Sequence, residues 1–331
     1  MYKFKPSTSL RVAAAACASA LVVPHGAYAQ AAYPNKLVQL IAQQPPGSQS
    51  EAISRIWAEC AARELGQPVV VISKPGANGV LATNFLKSQP ADGYTIMTVG
   101  MSQMTITPYV YKNLPYDVEK DFDGVAVLST SPLLLVASTQ SGIKKLSDIS
   151  AFAAKKPGGV NFGSPGKGSP AHLLTAAVAH HLKAEGTHVP FVGESAGATA
   201  LMGGQIDIMT LTSGTAGPLI KDGRIVALSV YTEAREKAFA DVPTIVELTG
   251  SKDLARPGWL ALVVKAGTPP AIAKRLGEAT TNCVRSDPAY RTKLETVHVS
   301  PIESSPADVK AWTDRYSAVF RPIITRLGLT E

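Results

Sequence analysis

The sequence predicts an α/β chain of two domains connected by two crossings. Three observations carry that reading. Short apolar runs alternate with amphipathic helical stretches from about residue 36 onward. A fresh alternation starts at Leu133 after a long irregular stretch, and a further apolar strand near residue 258 precedes two closing helices.

In order, 36–42 reads as a strand, 44–50 as a loop rich in Pro, Gly and Ser, and 51–65 as an amphipathic helix. A strand at 69–72 and a turn over 75–79 lead into a helix ending at Gln89. A strand follows at 94–99, then an irregular stretch over 114–122 and a strand at 124–128. The second alternation places strands at 133–137, 160–163, 188–192, 206–210 and 225–230, with helices over 143–154, 169–182 and 198–202. A loop opens at 241–244, a strand covers 258–264, and helices cover 270–285 and 307–326. Residues 30–130 and 250–331 then form one domain, and 131–249 the other. No internal repeat or low-complexity tract interrupts this layout.

Residues 1–29 have the form of a signal peptide. Lys3, Lys5 and Arg11 precede an apolar stretch over 12–23 that is too short to span a bilayer, and Ala27-Tyr28-Ala29 places the cut before Gln30. A lipoprotein site at Cys17 would need a bulkier residue among Ala14-Ala15-Ala16 and would halve the apolar stretch. Export to the periplasm is the expectation, with formal charge falling from +7 to +4 once the segment is removed. The remaining Lys and Arg are scattered rather than striped, which disfavours nucleic-acid binding.

Cys60 and Cys283 each fall on a helical apolar stripe and read as buried thiols; an oxidising compartment would permit a disulfide if those helices touch. No histidine stands near either, so neither suggests a metal site. Among the histidines, His180 and His181 face different ways on one helix, and His172 is the one expected near a cleft. No cofactor is expected. Gly163-Ser164-Pro165-Gly166-Lys167-Gly168-Ser169 misses the phosphate-loop register, with Asn161 and Gly168 in the wrong places. Gly166-Lys167-Gly168-Ser169-Pro170-Ala171 imitates a dinucleotide fingerprint, but Glu185 falls before the next strand rather than at its end.

Gly193-Glu194-Ser195-Ala196-Gly197 matches a nucleophile elbow and supplies the enzymatic alternative. That alternative is a periplasmic serine esterase using Ser195 with Asp241 and His298. No oxyanion segment of the His-Gly-Gly kind precedes Ser195, and the binding reading is simpler. Strand, glycine turn and helix leave backbone N–H groups aimed outward with the positive end of the dipole behind them. Ser169 suits an N-cap and Pro170 the first turn. The double crossing makes a hinged cleft, with ligand loops at the strand ends. Those loops supply the candidate ligand-binding residues: Gln44, Ser48 and Ser50; Ser102 and Gln103; Ser164, Gly166, Gly168 and Ser169; Glu194 and Ser195; and Thr212. One ligand carboxylate is expected at the amides of 166–169.

Along its whole length beyond the signal segment, the chain resembles the substrate-binding proteins of tripartite tricarboxylate transporters, the Bug receptors. The resemblance rests on an ordered set of segments. Among them are Pro45-Pro46-Gly47, Lys74-Pro75-Gly76-Ala77, Pro90-Ala91-Asp92-Gly93-Tyr94-Thr95 and Leu114-Pro115-Tyr116-Asp117. Others are Gly203-Gly204-Gln205-Ile206-Asp207, Asp241-Val242-Pro243-Thr244 and Ala266-Gly267-Thr268-Pro269-Pro270. It implies a Venus-flytrap periplasmic-binding-protein fold and a monomer. It also implies a small mono- or dicarboxylate held largely by backbone amides and waters, and delivery to a membrane permease. The chain departs from the family pattern with Gln43-Gln44 for Pro-Phe, Ser48 for Gly, Glu51 for Asp, Glu194 for Ser and Leu211-Thr212 for Asp-Asn. Glu194 would repel a carboxylate unless it faces solvent or meets a cationic group.

Overall fold

Two β-sheets organise the chain. The computed structural model describes residues 1–3 and 33–330, so the expected signal segment lies almost wholly outside the described residues. Met1–Ala32 and Tyr33–Glu331 are separate units, and all that follows concerns the second.

The first part supplies β1 (Val38–Ala42), α1 (Gln49–Leu65), β2 (Val69–Ser73), α2 (Val80–Ser88) and β3 (Thr95–Gly100). Three short helices follow, α3 (Met101–Thr105), α4 (Thr107–Val110) and α5 (Val118–Asp121), before the long β4 (Phe122–Ser131). The middle part begins with β5 (Leu133–Ser138), α6 (Asp148–Lys155), β6 (Val160–Ser164) and α7 (Pro170–His181). It continues through β7 (Gly186–Pro190), α8 (Glu194–Met202), β8 (Ile208–Thr212), α9 (Ser213–Lys221), β9 (Ile225–Val230) and α10 (Ile245–Thr249). The last part is β10 (Gly258–Lys265), α11 (Pro270–Ser286), α12 (Pro288–Thr296), β11 (Ser300–Pro301) and α13 (Pro306–Arg326).

Several stretches differ from expectation: β7 and β8 are each displaced by two residues, and α8 starts at Glu194 rather than 198, which places Glu194 and Ser195 in its first turn. Helix α5 lies within the stretch 114–122 read as irregular, and α3 and α4 precede it where no element is expected; each is shorter than two turns and therefore without a helical period to detect. Helix α9 was hidden by Gly214, Gly217 and Pro218. Helix α12 starts one residue after α11 ends, with Asp287 accepting from the Tyr290 N–H at 3.1 Å as its cap. Helix α6 starts at Asp148 rather than 143, because the Asp148 carboxylate gathers the N–H groups of Lys144 and Lys145 into a turn ahead of it.

The first sheet has the order β11-β4-β10-β3-β1-β2, with β3, β1 and β2 parallel and β10 antiparallel between β3 and β4. The second has the order β7-β6-β8-β5-β9, with β7, β6 and β8 parallel and β5 antiparallel to β8 and β9. Only Pro132 separates β4 of the first sheet from β5 of the second, and the chain returns between β9 and β10. Gly258 at the start of β10 pairs with Ser131 at the end of β4, so the two crossings leave side by side. Both leave from the edge where β1 and β3 end, which makes that edge the floor of a cleft between two lobes.

Helix α1 is set by its sequence at both ends. Ser48 accepts from the Glu51 N–H at 3.3 Å, and Gly66, at φ 70°, closes the helix with a bond to Ala62 O. Its buried face carries Ile53, Trp57, Cys60 and Ala61 against Leu276, Thr280 and Cys283 of α11. There Trp57 Nε1 donates to Thr280 Oγ1 at 3.0 Å, and Cys60 and Cys283 are joined as a disulfide with Cα atoms 5.9 Å apart. Of the two alternatives the sequence leaves open for these cysteines, buried thiols or a disulfide, the structure has the disulfide. They lie 223 residues apart, and sheet topology rather than local sequence brings them together.

Candidate functional site

At the end of β3 the first lobe gathers a buried polar cluster around α3. Gln103 of α3 is 2 % exposed and fully engaged: its Oε1 accepts from the Gly100 N–H at 3.2 Å, and its Nε2 donates to Asn78 O at 2.5 Å. Asn78 Nδ2 donates in turn to Ser102 Oγ at 2.8 Å and Thr107 Oγ1 at 3.2 Å. The predicted residues Ser102 and Gln103 thus belong to one buried polar cluster. In the 44–50 loop Ser48 is spent as the α1 cap, and the Ser50 carbonyl accepts from Ser54 Oγ at 2.8 Å. Gln44 is partly exposed, whereas its neighbour Gln43, not among the expected site residues, is buried.

The second lobe presents two groups. In the first, Ser169 caps α7 as expected, accepting from the His172 N–H at 3.2 Å, and Pro170 opens the helix. The Gly168 N–H donates to His172 Nδ1 at 3.1 Å, the Gly166 N–H to Ser164 Oγ at 3.1 Å and the Ser169 N–H to Gly166 O at 3.2 Å. These three amides, expected to hold a carboxylate, are therefore already satisfied within the loop. An anion there would have to displace an internal bond.

The histidine expectation also needs correcting. His172 does not stand alone, because His188 of β7 stacks on it with ring centroids 3.6 Å apart and planes 7° from parallel. His188 Nε2 is 2.7 Å from Ser164 Oγ. Burial, then the neighbouring His188 and Lys167, lowers His172 to about 3; burial and Lys167 lower His188 to about 4. Both rings are neutral at ordinary pH.

The second group joins the starts of α8 and α9. Glu194 Oε1 accepts from the Thr212 N–H at 3.1 Å and from Thr212 Oγ1 at 2.7 Å. Burial raises the Glu194 carboxyl above its ordinary value, against the opposing hydrogen bonds from Thr215 and Thr212. The predicted pair Glu194 and Thr212 is thus brought together, and the acid meets hydroxyl and amide donors rather than facing solvent or a cation.

Two of the contacts between the lobes lie beside these loops. Gly168 packs on Val110 of α4, so that a Cβ there would lie 3.1 Å from Val110 Cγ1. Gln49 Nε2 reaches Val297 O at 2.8 Å and Ser213 Oγ at 3.4 Å, and Ser213 Oγ donates to His298 O at 2.7 Å.

Residues 53–329 match the family described as the tripartite tricarboxylate transporter family receptor. The chain belongs to this receptor family. A UPF0065 protein of Bordetella pertussis is 32% identical over 297 residues, covering 90% of this chain and 91% of that protein. Two solved structures share the fold at 25% identity. Rpa4515 of R. palustris, with adipate, has a TM-score of 0.83 and covers 89% of this chain and 98% of that one. MatC from Rhodopseudomonas palustris, with bound malate, has a TM-score of 0.79 and covers 88% and 100%.

In this tripartite tricarboxylate transporter receptor the esterase constellation is not assembled. Ser195 is exposed in the first turn of α8, and among the described residues its hydroxyl hydrogen-bonds to no histidine or carboxylate. Gly197, the closing glycine of the motif, packs on Met209, where a Cβ would come within 2.6 Å. His298 instead lies against Gly217 and Phe239. Gly197 serves packing between α8 and β8, whereas Gly193, at φ 91° with nothing within 4 Å of a Cβ, turns the chain into α8. Among the described residues no group of histidine, cysteine and acidic side chains could hold a metal ion, and no helix is long and apolar enough to cross a membrane.

Proposed function

We propose that the chain is a periplasmic solute receptor, exported by removal of 1–29. It captures a small organic carboxylate between its lobes as a monomer and delivers it to a tripartite tricarboxylate-type permease. The observation that carries this reading is the family match over residues 53–329, supported by two sheets joined by two crossings that leave side by side. Adipate and malate in the two related structures point to the same ligand class. The ligand is placed among Gln44, Ser48, Ser50, Ser102, Gln103, Ser164, Gly166, Gly168, Ser169, Glu194, Ser195 and Thr212. Residues 30–130 with 250–331 form one lobe, and 131–249 the other. The protein acts by binding and not by catalysis.

A thermal-shift screen of mono-, di- and tricarboxylates tests this. A ligand at a hundredfold its Kd adds about 2.7 kcal/mol of apparent stability. A melt that no carboxylate moves overturns the proposal. Ester hydrolysis that is lost in Ser195→Ala would overturn the non-catalytic reading.

A further inference from the structure

The first lobe carries a concavity lined by none of the residues placed at the cleft ligand. Helix α4, the segment leading from it to α5, α5 itself and the middle of α13 enclose about 540 Å³, within the range of small-molecule sites. One wall is aromatic. Tyr109, Tyr111 and Tyr116 line it, and Tyr116 is fixed by its hydroxyl, which donates to Gln103 O at 3.0 Å. The charged groups are unevenly matched. Each lining acid already has a lysine: Asp117 meets Lys120 at 2.8 Å, Asp314 meets Lys310 at 3.0 Å, and Glu119 meets the same Lys310 at 4.0 Å. The lining cations are Lys112 and Arg321. The Arg321 guanidinium stands 5.7 Å from the centre of the Tyr109 ring, and among the described residues neither cation forms a salt bridge. Lys112, Lys120, Lys310 and Arg321 thus face only Asp117, Glu119 and Asp314, and the surplus positive charge lies beside the tyrosines.

We propose that this concavity is a second ligand site, separate from the cleft, that takes an aromatic carboxylate. The ring lies against the tyrosines, and the carboxylate is held by Arg321 and Lys112. A planar guanidinium offers a carboxylate two parallel N–H donors, and a lysine adds a point charge. Tyrosine faces and edges favour an aromatic ring over a saturated one of the same size. An inorganic anion would use the charge and leave the aromatic wall and most of the volume empty. A cation would find the acids already held by lysines. An aromatic anion uses both walls, and it does so whatever the cleft itself binds.

The test is calorimetric titration of the full mature protein with naphthalene carboxylate, its saturated decalin counterpart and the neutral naphthyl methanol. The wild type should bind the aromatic acid, preferring it about threefold or more over the saturated acid and about tenfold or more over the alcohol. Three variants accompany it. Lys112→Gln combined with Arg321→Gln should weaken binding of the aromatic acid at least about tenfold. Ser317→Trp, which fills the concavity from α13, should abolish it. Arg326→Gln, farther along α13 and outside the concavity, should bind as the wild type does. No binding by the wild type would overturn the inference, as would equal binding of the acid and the alcohol or of the aromatic and saturated acids. Binding that survives the double variant would place the acid in the cleft and overturn the second site, while leaving the carboxylate receptor intact. Weakening by Arg326→Gln as large as that by the double variant would reduce the effect to general surface charge and overturn it too. Should Ser317→Trp fail to fold, the double variant decides alone, since both of its side chains are exposed.

Discussion

Acidification below pH 6.5 should weaken this protein, and the stacked pair His172 and His188 is the reason. His172 is 4 % exposed, and its Nδ1 accepts the Gly168 N–H. A proton on that nitrogen would remove the acceptor and set two donors against each other. The folded chain therefore holds His172 at about 3 and His188 at about 4, below the 6.5 of a free histidine. The unfolded chain takes up these protons first, so stability is complete above pH 6.5 and is lost as the pH falls toward the folded values. One proton corresponds to about 1.4 kcal/mol per pH unit. Between pH 6.5 and 4.5 His172 accounts for roughly 2.7 kcal/mol, and the partly exposed His188 for about half of that after allowance for solvent screening. Glu194 and Glu236 act in the opposite direction, because burial raises both carboxyls and the folded chain binds their protons first. The measurement is accordingly a difference. Urea unfolding of wild type and His172→Asn, whose Oδ1 replaces the Nδ1 acceptor, is followed at steps from pH 7 to 4.5. The stability difference between the two should shift by about 2.7 kcal/mol in favour of the variant across that range. Parallel profiles would refute the assignment of the acid response to this pair.

Two further outcomes follow from the lobe contacts and the disulfide. Replacing Cys60 and Cys283 by serine, or reducing them, opens a loop spanning 223 residues. Chain entropy puts the loss near 5 kcal/mol at most, read as a lower urea midpoint; an unchanged midpoint would show that the bridge contributes nothing. Gly168→Val places a β-branched residue at φ 72° and within 3.1–3.2 Å of the Val110 methyl groups, which should cost about 2–3 kcal/mol in thermal unfolding. It should also weaken carboxylate binding, because the clash lies across the interface between the lobes. A melt and an affinity like those of wild type would show that this contact is not part of the bound form.

Much of this architecture was legible in the sequence, for reasons that differ between elements. Strands β1, β3, β5 and β10 are nearly continuous apolar runs, and helices α1, α7 and α13 announce themselves with Ser48, Ser169-Pro170 and Ser305-Pro306. The site was legible only where one loop acts by itself, as in the Ser169 cap. Gln43 is buried and Gln44 partly exposed because the chain turns out of the sheet between them, a difference that composition alone does not record. The stacking of His188 on His172 requires β7 to lie beside β6, and no local pattern records that neighbour. Glu194 appeared repulsive because its partners, the Thr212 amide and hydroxyl, come from a strand end 18 residues on.

The position of β10 bears on how the chain is made. It lies between β3 and β4, which precede it, yet it begins only at Gly258, after all the strands of the second sheet. While the chain emerges from its N-terminus, β3 and β4 each keep an open edge until more than a hundred later residues have followed. Open edges are templates for pairing with other chains. The middle lobe, whose strands are contiguous in sequence, can close first, while the outer lobe waits for its central strand. The outer lobe is thus the aggregation-prone half of the nascent protein, and a chain truncated anywhere before Gly258 carries that exposed gap permanently.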